Sequence, residues 1–126
     1  MIWSQSYACP RYGRYAEGDQ AFYSGPTATP VLDADSGLLY TLSSAGDLRC
    51  WDTDKQGRLV WAVNLYEKYK AGRRPDAGGG LRDYGYTTAP LVREDTLLVA
   101  VGGQAGLLIG LDKRTGEQRW RSDNCD

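Results

Sequence analysis

The 126-residue chain contains no histidine. That absence removes the usual general base near neutral pH and the commonest metal ligand, so Ser-His-Asp, Cys-His and His-metal chemistry are excluded within the chain. Charge of one sign is also missing, because 15 basic residues face 16 acidic ones and the two are interspersed. A protein that tracks a phosphate backbone needs a basic stripe, and with none here nucleic acid is not an expected partner. No apolar run reaches the roughly 18–20 residues that span a bilayer, so no transmembrane segment is expected. The start, "MIWSQSYACPRYGRY", lacks the charged-then-apolar order of a secretory signal. Cysteine is sparse: Cys9, Cys50 and Cys125 lie far apart and form no Cys-x-x-Cys pair. Neither a full disulfide framework nor a zinc site is written in that spacing, and free thiols or one adventitious pair are the simpler reading.

What is present is the balance of an ordinary globular protein, 41% hydrophobic and 25% charged. It is arranged as a repeat. Sliding the chain by sixty positions lays "GPTATPVLDADSGLLYTLSSAGDLRCWD" (25–52) over "GYTTAPLVREDTLLVAVGGQAGLLIGLD" (85–112). Gly25 meets Gly85, Pro30 meets Pro90, Asp35 meets Asp95, Leu38 meets Leu98 and Asp52 meets Asp112. After a one-residue adjustment Gly57 and Trp61 meet Gly116 and Trp120, and one period before Trp61 stands Trp3. Self-similarity at a fixed period marks a repeat architecture.

Each copy reads as four short strands. In the first, "TATPVLD", "GLLYTLSS", "DLRCWD" and "RLVWAVNL" are separated by turn-forming Asp35-Ser36-Gly37, Ala45-Gly46-Asp47 and Lys55-Gln56-Gly57. Leu38, Tyr40 and Leu42 alternate in the second segment, and Leu59, Trp61, Val63 and Leu65 in the fourth, as half-buried strands require. The second copy follows with "TTAPLV", "TLLVAVG", "LLIGLD" and "EQRWRS". The predicted organisation is the last strand of a preceding copy and a loop over 1–24, a four-stranded unit over 25–65, a loop over 66–84 and a second unit over 85–126. A short amphipathic helix is compatible with 65–71, ended at once by the glycines that follow.

Four antiparallel strands per copy with a Gly/aromatic mark are the sequence cue for a β-propeller. The phrase "GLDKRTGEQRW" (110–120) sets Asp112, Thr115, Gly116 and Trp120 at fixed distances, and "CWDTDKQGRLVW" (50–61) nearly repeats it with Asp52, Gly57 and Trp61. This resembles the repeat of the pyrroloquinoline-quinone-like (PQQ-like) propeller family, which includes quinoprotein alcohol dehydrogenases and the lipoprotein of the outer-membrane β-barrel assembly machine. The phrase at 110–120 matches it closely, and the one at 50–61 departs from it by one inserted residue and lacks Thr before Gly57. The resemblance implies an all-β propeller segment of two blades, an incomplete ring, with Trp3, Trp61 and Trp120 docking against neighbouring blades. It implies further blades of a parent chain as partners, and a place in the periplasm or cell envelope.

Residues that imitate chemistry have plainer readings. "DTDKQG" (52–57) starts like a calcium loop, but its twelfth position is Val63 where a bidentate Glu is needed. Trp51-Asp52 resembles the mark of WD-repeat propellers, whose Gly-His pair a chain without histidine cannot supply. "GGQAG" and "AGGG" lack the Lys-Ser/Thr of a phosphate loop. Lys68, Lys70, Arg73 and Arg74 stand among tyrosines in the long loop and are candidates for holding an anion or an acidic peptide. No catalytic, metal or cofactor residue is nominated and no cofactor is expected. The expected function is a non-catalytic scaffold or protein/ligand interaction module, the alternative being structural blades of a PQQ-dependent alcohol dehydrogenase-like quinoprotein.

Overall fold

Turn signals and apolar alternation resolve into eight strands among the described residues. In the computed structural model, which describes residues 2–8, 28–43, 45–69, 88–101 and 108–122, these are β1 (Val31–Asp33), β2 (Leu38–Leu42), β3 (Asp47–Asp52), β4 (Arg58–Asn64), β5 (Leu91–Arg93), β6 (Thr96–Ala100), β7 (Leu108–Asp112) and β8 (Gln118–Arg121). They form two four-stranded antiparallel sheets in chain order, β1-β2-β3-β4 and β5-β6-β7-β8. The architecture is all-β, two successive meanders without a closed ring. Among the described residues helix is confined to one 3-10 turn at Thr53–Lys55 and to α1 (Leu65–Tyr69). Asn64 starts α1 by accepting the Glu67 amide at 3.1 Å, and Leu65 buries its side chain.

The two sheets pack face to face, and the core lies between them. The first sheet contributes Leu38, Tyr40, Leu42, Leu48 and Cys50; the second contributes Leu97, Val99, Ile109 and Leu111. Period-2 alternation puts each set on one side of its sheet, and burying apolar surface there supplies about 25 cal/mol per Å2 removed from water. Opposite faces of equivalent strands are therefore used: 38, 40 and 42 are buried in β2, whereas 97 and 99 are buried in β6.

Pairing register corrects part of the sixty-residue alignment. Val31 and Leu91 begin the cross-sheet rows, and these rows read Val31-Tyr40-Cys50-Trp61 and Leu91-Leu98-Gly110-Trp120. Leu98 thus occupies the place of Tyr40, not that of Leu38. The first turn, Ala34 to Gly37, has been shortened to Glu94-Asp95 in the second sheet, and the following loop restores the difference. Asp95 likewise takes the role of Gly37 rather than Asp35: the Gly37 carbonyl accepts the Thr53 amide, and the Asp95 carbonyl accepts that of Lys113, each at 3.0 Å.

A second correction concerns β4. Leu59 is 42% exposed and does not share the core-facing side of Trp61 and Val63. A bulge between Cys50 and Trp51, with Val60 as the extra residue opposite them, inverts the alternation there. The second sheet carries the same irregularity between Gly110 and Leu111.

Candidate functional site

The recurring phrase builds one turn twice. Asp112 Oδ1 accepts the amides of Arg114 and Thr115 at 2.8 and 3.3 Å, and Gly116 donates to the Asp112 carbonyl at 2.8 Å. Thr115 Oγ1 accepts the Glu117 amide at 3.3 Å. The Arg114 amide, then the Arg119 guanidinium at 2.7 Å, hold the Asp112 carboxyl below the usual carboxylate range. In the first sheet Asp52 accepts the Asp54 amide at 3.0 Å, and the inserted residue appears as Gln56 at φ 55° ahead of Gly57 at φ 71°. Asp52, Asp112 and Thr115 are turn residues by geometry, satisfying amides that the chain reversal would otherwise strand.

Each turn receives a tryptophan from the preceding unit. A Cβ on Gly116, at φ +77°, would lie 2.8 Å from Cδ2 and Cε3 of Trp61, and one on Gly57 would overlap Cε3 and Cζ3 of Trp3. Glycine is required at both places for two reasons: the left-handed backbone and the ring lying flat against it. Residues 2–8 form no strand, yet they carry Trp3 to the same place on the first sheet that Trp61 takes on the second. Trp120 has no such acceptor among the described residues; it lies over Gly110 of its own sheet and is 43% exposed.

Sequence reasoning missed the polar group locking the sheets together. Lys113, the residue after the turn Asp, is buried and reaches across to Asp33 of the first sheet, Nζ to Oδ2 at 2.7 Å. Its carbonyl accepts Tyr40 Oη at 2.9 Å, Trp61 Nε1 at 3.1 Å and, weakly, Cys50 Sγ at 3.8 Å. The Lys113 ammonium, then the Ser36 hydroxyl, hold the Asp33 carboxyl below its ordinary range. Burial pushes the Cys50 thiol up to about 12 and raises the Tyr40 phenol. These are the protonation states of a structural cluster: a neutral thiol, a neutral phenol and a paired charge. The signal lay in the departures between copies, Asp33 against Arg93 and Thr53 against Lys113, which a search for matches passes over.

On the outer side of the first sheet, Trp3, Tyr7, Leu39, Thr41 and Trp51 line a cavity of about 350 Å3. Arg49 stacks over Tyr7 at 3.7 Å, and Trp51 donates to Thr41 Oγ1 at 2.9 Å. By register this face corresponds to the core-forming face of the second sheet, and only residues 2–8 cover it among the described residues. Of the nominated loop cations, Lys68 sits exposed on α1, 5.8 Å from the Tyr69 ring centroid; Lys70, Arg73 and Arg74 lie outside the described residues. Among the described residues no three His, Cys, Asp or Glu side chains converge as metal ligands would, and no helix is long and apolar enough to cross a membrane.

Against solved structures, the chain matches BamB from Moraxella catarrhalis over 79% of its length, with a TM-score of 0.53 and 18% identity. The fold is a stretch of β-propeller. A europium-containing methanol dehydrogenase matches 73% of the chain with a TM-score of 0.50 and 20% identity. The propeller stretch spans 24% of the first of those proteins and 14% of the second. No family model and no curated protein sequence matches the chain.

Proposed function

We propose that this chain is a non-catalytic stretch of propeller: a scaffold of two blades whose outer sheet faces engage further blades or a protein partner. The observation that carries the reading is the Trp-on-Gly stack formed twice, Trp3 on Gly57 and Trp61 on Gly116, with Trp120 left 43% exposed at the position where a third would form. Asp52, Gly57, Trp61, Asp112, Thr115 and Gly116 of the repeated phrase are engaged in turn or interface geometry, so architecture accounts for them without chemistry. A place in the cell envelope belongs to the same proposal and rests on the family resemblance of the repeated phrase.

The likeness to a methanol dehydrogenase supports a second reading, in which these are structural blades of a quinoprotein alcohol dehydrogenase. Under either reading the chain by itself turns nothing over, because a quinone site on a propeller axis draws groups from many blades. Reconstitution of the purified chain with pyrroloquinoline quinone and calcium, followed by dye reduction with methanol and ethanol, tests this. The expected rate equals that of a no-protein control. Turnover above it, or micromolar quinone binding by calorimetry, would replace the scaffold reading with an enzymatic one.

A further inference from the structure

The face of the second sheet turned away from the core, uncovered among the described residues, carries a socket that repeats, strand for strand, the one holding Lys113. Arg93, Glu94, Thr96, Leu98 and Trp120 line a cavity of about 230 Å3. Register places Arg93 where Asp33 stands, Leu98 where Tyr40 stands and Trp120 where Trp61 stands. In the filled socket Asp33 pairs with the Lys113 ammonium, while Trp61 Nε1 donates to the Lys113 carbonyl at 3.1 Å. In the open one the tryptophan donor is kept and the charge is reversed. Arg93 is exposed and makes no ion pair among the described residues. Leu98 in place of Tyr40 removes a hydroxyl donor, leaving Trp120 and Arg93 as the groups that read an incoming turn.

We infer that this socket receives the strand turn of another propeller blade that carries Asp or Glu at the position Lys113 holds in this chain. The inference rests on the blade-docking reading above and adds the sign of the residue recognised. Continuity with the internal interface identifies the class of occupant, since the same rows of the two sheets present the same shape. Charge complementarity selects among occupants: a lysine would meet the Arg93 guanidinium, and burying like charges together is costly. A second copy of this chain would offer Thr53 there, the structural counterpart of Lys113, and would leave Arg93 without a carboxylate. Glu94, at φ 54° in the shortened turn, stands at the rim, at the place of Ala34, which makes no bond to Lys113.

The test uses the isotope-labelled full chain and an unlabelled hairpin spanning 108–122 as probe. The probe is cyclised head to tail where Ser122 N donates to the Leu108 carbonyl at 2.8 Å. Three versions carry native Lys, Lys113→Glu or Lys113→Thr, and the Trp120 Nε1–H resonance of the labelled chain reports binding. The Glu probe is expected to shift that resonance and to bind about tenfold more tightly than the Lys probe, as a partly desolvated ion pair against a like-charge contact allows. Arg93→Glu in the labelled chain should invert the order. Equal binding by all three probes, or a Glu preference that survives Arg93→Glu, overturns the charge assignment and leaves blade docking standing. Tightest binding by the Lys probe would assign recognition to Glu94, and tightest binding by the Thr probe to a second copy; either overturns the inference. No shift with any probe at millimolar concentration overturns docking at this face together with its charge rule.

Discussion

Replacing Gly116 by Ala strikes the inter-sheet stack with a single methyl group. Two costs follow from the geometry. At φ +77° an L-residue sits in the left-handed region, which costs about 1–2 kcal/mol. The new Cβ would also lie 2.8 Å from the Trp61 ring, about 0.6 Å inside the 3.4 Å of ordinary contact, so the ring must withdraw. Withdrawal lengthens the Trp61 Nε1 to Lys113 carbonyl bond from 3.1 Å and opens the buried cluster around it, a loss of about 1–2 kcal/mol. The expected sum is about 3 kcal/mol, a large part of the 5–15 kcal/mol that holds an ordinary domain together, and a fall in Tm of about 10 °C. Gly37→Ala separates the two costs. Its φ is +73°, but its Cβ would crowd the exposed Asp54 carboxylate, which can swing aside, and would meet Thr53 Oγ1 only at an ordinary 3.6 Å. Urea and thermal unfolding of both variants read the difference. If Gly116→Ala loses no more stability than Gly37→Ala, the tryptophan does not bear on that glycine and the blade-staple reasoning fails.

Acid should dissolve the inter-sheet lock. Asp33 and Asp112 both titrate below their ordinary range when folded, so their stabilisation is fully present above about pH 4, the unfolded value, and is lost as pH falls through the lower folded values. Unfolding followed from pH 7 to pH 2 should show that loss, and Asp33→Asn should flatten the part due to Asp33; an unchanged profile would count against the pair. Asp33→Asn at neutral pH leaves the buried Lys113 charge uncompensated and should cost about 3–5 kcal/mol, with Asp33→Asn/Lys113→Met recovering part of it in chemical denaturation. Cys50, fully buried with its thiol pushed up to about 12, should resist iodoacetamide at pH 8 in the native chain and react on unfolding; rapid native labelling, located by peptide mass mapping, would contradict its burial.

The sequence alone determined the repeat, the four strands per unit and their turns, because these depend on local chemistry: period-2 alternation, Gly at positive φ, and Asp satisfying amides two and three residues ahead. The recurrence of Gly57 and Trp61 as Gly116 and Trp120 was legible for the same reason, since the phrase returns at a fixed distance; that each glycine receives the preceding unit's tryptophan was not. Register was not. Leu38 and Leu98 coincide in the string, yet a turn shortened by two residues moves Leu98 opposite Gly110, into the place of Tyr40. Only hydrogen bonding between strands decides such a shift, and one bulge at Val60 turned Leu59 away from the core. The Asp33–Lys113 pair lay further from view, because its members are 80 residues apart and differ between the copies. An alignment reads what recurs. What one sheet presents to the next is settled by which side chains packing brings together, and that is where this chain departs from its own repeat: Asp33 inside, Arg93 on the open face.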